Sequence, residues 1–541
     1  MRGNHTARHE VRRGLSASLV TSVSLVAVLS ALGGCAVGPK YTTPETSVPA
    51  NNWTTSDSQI STQTAVDTSW WKSFNDPALD RLVELAYQQN LPLQVAGLRI
   101  VESRAQLGIA TGSQYPQVQV VFGEAEAVGL SKNTANSPLG LPIPAGSNVS
   151  FNRNFLNYQI GFDAVWELDF WGKYRRGVES ETASLLATVG DYYYGIVSLT
   201  AEVARTYVVI RTFEVLVELA QENIAVQEKG LQIAESRFRH GATSELDVTQ
   251  ATTLLESTRA TLPRLQSGLQ QSRNALATLL GQPTGTVEAL LNGPKVIPRA
   301  PAKVVVGVPA EMLRRRPDIR SAELTAAAQC ARIGVAKADL YPSLTFFGSF
   351  GLQASDKGAS ANLFSGDALY YSVGPRISWP FFNYGRIENS VRVQDARFEE
   401  LLVGYRNAVL KAAQEVEDAM VGFLNDQKAV VFEQGAVKAA QRSVEISLVQ
   451  YREGAVDYQR VLEAQRSLLQ EQNSLTQSSS SVATNLVAMY KALGGGWQVR
   501  KDQPVIPQQM QDEMKDRTNW GDMLSEPRDP ETKKPSPSAN E

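Results

Sequence analysis

The chain has 541 residues, a formal net charge of −3, 43% hydrophobic and 20% charged residues. That balance is ordinary for a folded protein and excludes the bulk basic footprint of a nucleic-acid binder. No run of eighteen apolar residues follows the N-terminal segment, so the mature chain has no spanning helix and enters a membrane only by a barrel or a lipid.

Residues 1–34 read as a secretory signal: Arg2, Arg8, Arg12 and Arg13 precede an apolar stretch from Leu15 to Leu32. The stretch ends in Leu32-Gly33-Gly34-Cys35, which resembles the bacterial lipobox. Cys35 is then the mature N-terminus, bearing a diacylglycerol and an N-acyl chain; an ordinary cleavage site beside a free cysteine is the alternative. Two or more acyl chains anchor a protein stably where one does not. Ala36 after the cysteine, by the same resemblance, directs the chain to the outer membrane. Cys330 is left without a disulfide partner, and His240 is the one histidine beyond the signal. The sequence therefore offers no His-based metal cluster and no Cys–His nucleophile. Beyond the covalent lipid, neither cofactor nor metal is expected, and no enzyme.

A Pro/Thr/Ser-rich linker, 35–69, should run extended over a surface. Trp70-Trp71 leads to Asp76-Pro77, an N-cap with proline at the first helical position, and Leu79, Leu82, Val83 and Ala86 line one helical face. Asn90 and Pro92 interrupt that helix, a second follows to about Ala110, and Tyr115-Pro116 turns helix into strand. Strands are predicted over about 117–128 and 155–170, with a Gly/Pro/Asn/Ser-rich loop between them. In the second strand Tyr158, Ile160, Phe162, Ala164, Trp166, Leu168 and Phe170 alternate with Gln159, Gly161, Asp163, Val165, Glu167 and Asp169. Its length suffices for a tilted strand across a bilayer; taken alone, a soluble sandwich fits equally. Helical sequence then runs without proline from about Arg175 to Arg239, within a helical hairpin predicted over 173–281.

The pattern occurs twice. Tyr158, Gly161, Trp166 and Gly172 recur as Tyr371, Gly374, Trp379 and Gly385 (371 − 158 = 213), and Arg239, Gly241, Val248 and Ala251 recur as Arg452, Gly454, Val461 and Ala464 at the same offset. Upstream, Tyr115-Pro116 matches Tyr341-Pro342 at an offset of 226, and the thirteen-residue difference is assigned to the strand-connecting loop. A constant offset across strand, helices and turns marks a duplicated unit. The first repeat is 70–281, a connector with a short Val-rich strand spans 282–312, and the second repeat is 313–497. The latter holds strands at about 343–353 and 369–382 and a helical hairpin at 386–494. The charged, proline-rich tail 498–541 should be disordered. Gly241 and Gly454 read as breaks in the returning helices, and Trp166 and Trp379 either as an aromatic belt or as packing at the strand ends.

Four strands with an apolar face cannot close a membrane cylinder, so the chain must oligomerise. A water-filled conduit favours three copies and twelve strands. The polar faces, including Asp163, Glu167, Asp169 and Arg376, would line the lumen. The lipobox, the Trp70-Trp71 entry, Leu313-Arg314-Arg315-Arg316-Pro317-Asp318-Ile319, both Tyr-Pro sites and Tyr490-Lys491-Ala492-Leu493-Gly494-Gly495-Gly496-Trp497 together resemble the TolC-like outer-membrane factors. The closest pattern is their NodT/OprM-type lipoprotein branch. The resemblance implies a homotrimer mixing a 12-stranded membrane β-barrel with a periplasmic α-helical barrel, lipid-anchored in the outer membrane. It implies, as partners, a periplasmic adaptor and an inner-membrane, proton-driven (RND-type) transporter, in a pump for drugs or other toxic compounds; a type I protein secretion duct or a heavy-metal pump is the alternative. The family closes its periplasmic end with helices near the hairpin tips, expected here near Arg211-Thr212-Phe213 and Leu424-Asn425-Asp426. Asp418 with Glu415, facing Arg205 or Arg211, then forms the gate; a solvated helix face fits those carboxylates equally.

Overall fold

The computed structural model describes residues 36–44, 53–55, 57–61, 68–130, 154–307, 315–357 and 362–524. The signal segment, Cys35, Leu313-Arg314 and the end of the tail fall outside them, as does most of the loop between the first two strands. Two compact units form: one gathers Met1–Thr42, Ala105–Ser184 and Ala326–Glu400, the other Thr43–Arg104, Leu185–Thr325 and Leu401–Glu541.

The first unit holds a four-stranded antiparallel sheet of β1 (Val118–Gly129), β2 (Asn154–Glu167), β3 (Ser343–Ser355) and β4 (Leu369–Ser378), in chain order. Register matches like faces: Phe162 lies opposite Phe350, which lies opposite Tyr371. Val121, Phe162, Phe350, Tyr371, Val373 and Ile377 stand exposed on one face. Such a continuous apolar band belongs against lipid rather than water. On the other face Gln159 donates to the Tyr370 hydroxyl at 2.6 Å. Tyr370 lies across Gly161 and Gly351, and a Cβ on Gly351 would come within 2.4 Å of the Ile160 carbonyl. The close approach of the strands requires glycine there.

The duplication is visible in contacts. The Trp166 indole donates to the Gln114 carbonyl and the Trp379 indole to the Leu340 carbonyl, 226 residues apart. Those bonds tie each tryptophan to the end of the helix preceding its hairpin. Within the sheet the offset is one less: Val118 pairs with Val165, and Ser343 pairs with Ser378, which is 213 beyond Val165 (343 − 118 = 225). One of the thirteen extra residues therefore sits at the foot of β1 rather than in the loop. There the Gln117 side chain accepts from the Glu167 N–H at 2.7 Å and donates to its carbonyl, doing what a backbone pair would do.

β2 ends at Glu167, not at Phe170. Leu168 still donates to the Leu344 carbonyl, but the Asp169 carboxylate turns to accept the Tyr174 and Arg175 N–H groups. Those are orphan donors at the start of the next helix, so capping takes Asp169 out of the strand. β4 likewise stops at Ser378, before Trp379-Pro380, because proline has no N–H for a ladder.

Eight α-helices are described: α1 (Pro77–Gln89), α2 (Leu91–Gly112), α3 (Lys173–Arg239), α4 (Glu245–Leu279), α5 (Pro317–Ala338), α6 (Arg386–Arg452), α7 (Tyr458–Ala492) and α8 (Gln508–Arg517). Asp76 caps α1 through the Ala78 and Leu79 N–H groups. α3 and α6 each have 67 residues, about 100 Å at 1.5 Å per residue, and each is followed by a 35-residue return.

Within the second unit the linker is held at defined points. Trp53 is buried with its indole on the Gly307 carbonyl, and Ile60–Ser61 pairs in parallel with Val304–Val305. Glu417, next to the expected gate, receives Thr54 N–H together with the Thr55 N–H and hydroxyl. The tail is ordered as far as Leu524, contrary to its composition. Val505, Ile506 and Met514 are buried, and the Val505 carbonyl lies where a Cβ on Gly97 would be.

Candidate functional site

The two hairpin ends form a polar site in the second unit that ties one hairpin to the other. α3 and α6 run on through Arg211 and Leu424 and turn only after Arg239 and Arg452. Each turn has a left-handed glycine, Gly241 at φ +71° and Gly454 at φ +80°. Each also has the same closing bond, Ala242 N–H to the Arg237 carbonyl and Ala455 N–H to the Gln450 carbonyl, both 2.8 Å. This is the glycine-terminated helix end that satisfies the last carbonyls. Gly241 and Gly454 are thus the hairpin turns themselves, not breaks in the returning helices. Glycine followed closely by Ser244 or Asp457 at the next helix start was the signal for a turn.

Three side chains bridge the hairpins here. The Arg237 guanidinium donates to the Tyr451 and Arg452 carbonyls of the second hairpin and to Ala242 of its own. It also lies over the Tyr451 ring, 4.8 Å from the centroid. The Tyr451 hydroxyl donates to Asp247 of the first hairpin at 2.9 Å, and Thr243 donates to the same carboxylate. Beneath them Tyr451 meets Tyr458 edge-on at 5.2 Å, within a buried cluster with Ala234, Leu254 and Val461. Burial, then the Asp247 hydrogen bond, pushes the Tyr451 phenol up to about 12. It keeps its proton, and so its donor role, across physiological pH.

The residues expected at the gate lie elsewhere. Arg211 is 28 residues before the end of α3 and Asp418 is 34 before the end of α6, about 40 and 50 Å of helix away from the turns. Arg211 is buried and bonds Glu214 at 2.7 Å, Tyr207 and the Leu291 carbonyl, while Glu214 also receives Arg273. Arg205 pairs with Glu202 on its own exposed helix face. Glu415 accepts from Arg316 at 2.9 Å, and among the described residues Asp418 receives only the Gln414 amide. The outgoing helices are almost twice as long as the returning ones, so a turn placed midway along the helical run misses the end. Of the strand residues, Asp163, Glu167 and Arg376 occupy the polar face, where Asp163 lies opposite Ser349 and Arg376 opposite Thr345. Asp169 does not; it pairs with Arg175 at 3.1 Å in its capping role.

A family model described as outer membrane efflux protein matches residues 82–282 and 308–495. The chain belongs to the outer membrane efflux protein family. Among its relatives, Nodulation protein T of Rhizobium leguminosarum bv. trifolii is 31% identical over 477 residues, covering 86% of this chain and 95% of the relative. The pyoverdine export outer membrane protein OpmQ of Pseudomonas putida is 33% identical over 443 residues, covering 81% and 90%. A solved structure of the outer-membrane channel OprN superposes with a TM-score of 0.78 at 32% identity, covering 86% of this chain and all of that one. The sheet and hairpins described above are accordingly those of a TolC-like outer-membrane efflux channel, in which β-barrel and α-barrel regions are combined.

Proposed function

We propose that this efflux protein works as a homotrimeric exit duct of a tripartite pump, passing small molecules from a proton-driven inner-membrane transporter, through a periplasmic adaptor, to the exterior. The observation that carries the reading is the sheet: an exposed apolar face, a polar opposite face and, among the described residues, two free edges, in β1 and β4. Free edges are not tolerated in hydrocarbon, so further copies must complete the wall. Cys35 carries the lipid anchor in this reading. The closed end is the Arg237–Tyr451–Asp247 network, because it ties one hairpin to the other beside both turns.

Planar-bilayer conductance of the purified protein tests the reading. Tyr451→Phe removes the hydroxyl that reaches Asp247; losing about 1 kcal/mol of closed-state hydrogen bonding raises opening frequency about fivefold. A channel that conducts but opens no more often in Tyr451→Phe overturns the gate. A protein that never conducts overturns the duct. Capture of an adaptor and a transporter from crosslinked envelopes tests the partners, and repeated failure to recover either argues against a tripartite pump.

A further inference from the structure

The free edges of the sheet are copies of a joint that the protomer already contains. β2, the last strand of the first repeat, pairs with β3, the first strand of the second. By the duplication, the free edge of β4 is the second repeat's copy of the β2 edge, and the free edge of β1 is the first repeat's copy of the β3 edge. We propose, resting on the reading of the chain as a homo-oligomeric barrel, that β4 of one protomer pairs with β1 of the next in the register of the β2–β3 joint, closed by Arg376 against Glu124 of the neighbouring protomer.

The ladders fix the register. Residues of β2 map to β4 by adding 213, and residues of β3 map to β1 by subtracting 225. Asp163 opposite Ser349 becomes Arg376 opposite Glu124, Gly161 opposite Gly351 becomes Gly374 opposite Glu126, and Gln159 opposite Gln353 becomes Ser372 opposite Val128. An arginine thus meets one acid directly and a second diagonally, on the polar face. In its own protomer the Arg376 guanidinium rests over the Phe347 ring, 5.0 Å from the centroid. A slip of one residue would set Arg376 against Gly123 and turn Glu124 and Glu126 to the apolar side.

The pair also falls where side chains approach closely. Leu168 N–H reaches the Leu344 carbonyl at 2.9 Å and Asp356 N–H the Leu156 carbonyl at 3.1 Å, so in this ladder the even-numbered residues of β2 exchange the hydrogen bonds. Asp163 opposite Ser349, and hence Arg376 opposite Glu124, is a non-hydrogen-bonded pair, the closer of the two kinds. The foot of the joint repeats too. Trp171 stacks on Tyr341 at 4.6 Å and donates to the Pro342 carbonyl. Their copies are Tyr384 and Tyr115, which are 101% and 65% exposed in the protomer. The contact is head-to-tail and closes into a ring when the rotation between copies divides a full turn.

Cysteine pairs placed in one full-length chain test the register. Ser372→Cys with Val128→Cys should oxidise to covalent trimers on denaturing gels, while Ser372→Cys with Glu126→Cys, two residues off, should stay monomeric. Light scattering in detergent reports the native assembly of the same variants. A trimeric protein that crosslinks only at the shifted pair, or at neither, overturns the register and leaves the channel reading standing; a monomeric mass for the unmutated chain overturns both. Arg376→Glu should lower the temperature at which the trimer dissociates, and adding Glu124→Arg should restore it. Absence of restoration overturns the Arg376–Glu124 contact.

Discussion

Arg316 shows how much one side chain of the Arg-Arg-Pro-Asp segment does. It is 3% exposed, clasps Asp318 in a bidentate pair at 3.0 and 2.8 Å, reaches Glu415 at 2.9 Å and donates to the Ala492 carbonyl at 2.7 Å. Its aliphatic stem packs on Gly494, whose φ of +68° and lack of a Cβ leave the space. Arg316→Ala should cost about 3 kcal/mol, the lower end for breaking a buried pair, because Asp318 and Glu415 keep contact with water. Thermal unfolding of the detergent-solubilised protein checks this, and an unchanged midpoint contradicts it. The sequence singled out Arg316 and Asp318 through the family resemblance, but not Glu415 as their partner. That pairing joins residues 99 apart, and no local periodicity reports it. Arg211 was misjudged for a similar reason: a lone arginine on a helix reads as exposed until Glu214 and the Leu291 carbonyl are seen to satisfy it in the interior.

At the level of elements, strands were more legible than helices, for a physical reason. A strand facing lipid on one side and polar groups on the other alternates at every residue, and β2, β3 and β4 carry that signature, whereas β1 carries it weakly, with Val120 and Phe122 on the polar face. Long helices change neighbours along their length, so their apolar stripe drifts and says little about where they turn. Even the pair formed by α3 and α7 mixes polarity. Asn223 bonds Gln472 at 2.7 Å and Thr212 bonds Ser480 at 2.8 Å, both in the interior. Seven residues beyond Asn223 comes Gly230, and a Cβ there would lie 3.2 Å from the Gln465 amide and 3.4 Å from the Tyr458 hydroxyl. Gln465 is 2% exposed and neither end of its amide has a hydrogen-bond partner among the described residues. Polar residues at heptad spacing, here 458, 465 and 472, specify register at a cost in stability. Gln465→Leu should therefore stabilise the protein by about 1 kcal/mol or more, since the unsatisfied amide is removed and no bond is lost. Asn223→Ala should destabilise it by leaving Gln472 unpaired. A lowered melting temperature for Gln465→Leu would show that the amide is satisfied in solution.

For the whole molecule, duplication gives two kinds of joint between hairpins, and the hairpin ends show that the two are not equivalent. Within a protomer the joint uses Arg237, Asp247 and Tyr451. Moving each by 213 residues in the direction of its copy gives Gln450 for Arg237, Arg460 for Asp247 and Phe238 for Tyr451. The joint between protomers thus has a phenyl ring where the first has a phenol, and a cation where the first has the accepting carboxylate. The bond from Tyr451 to Asp247 has no copy there, a glutamine amide stands where Arg237 donates to two carbonyls, and Phe238 is 44% exposed in the protomer. Opening of the closed end should accordingly begin between protomers, and the bonds between each protomer's own two hairpins part after that. Phe238→Tyr combined with Arg460→Asp rebuilds the phenol–carboxylate pair at that second joint. If the new bond forms, it adds about 1 kcal/mol to the closed state at each of the joints, and opening frequency in planar bilayers falls by about fivefold or more. The same double variant on a Tyr451→Phe background should return opening toward the unmutated rate. An unchanged or raised frequency in the double variant alone would mean that the ends of neighbouring protomers do not meet as the internal copy requires.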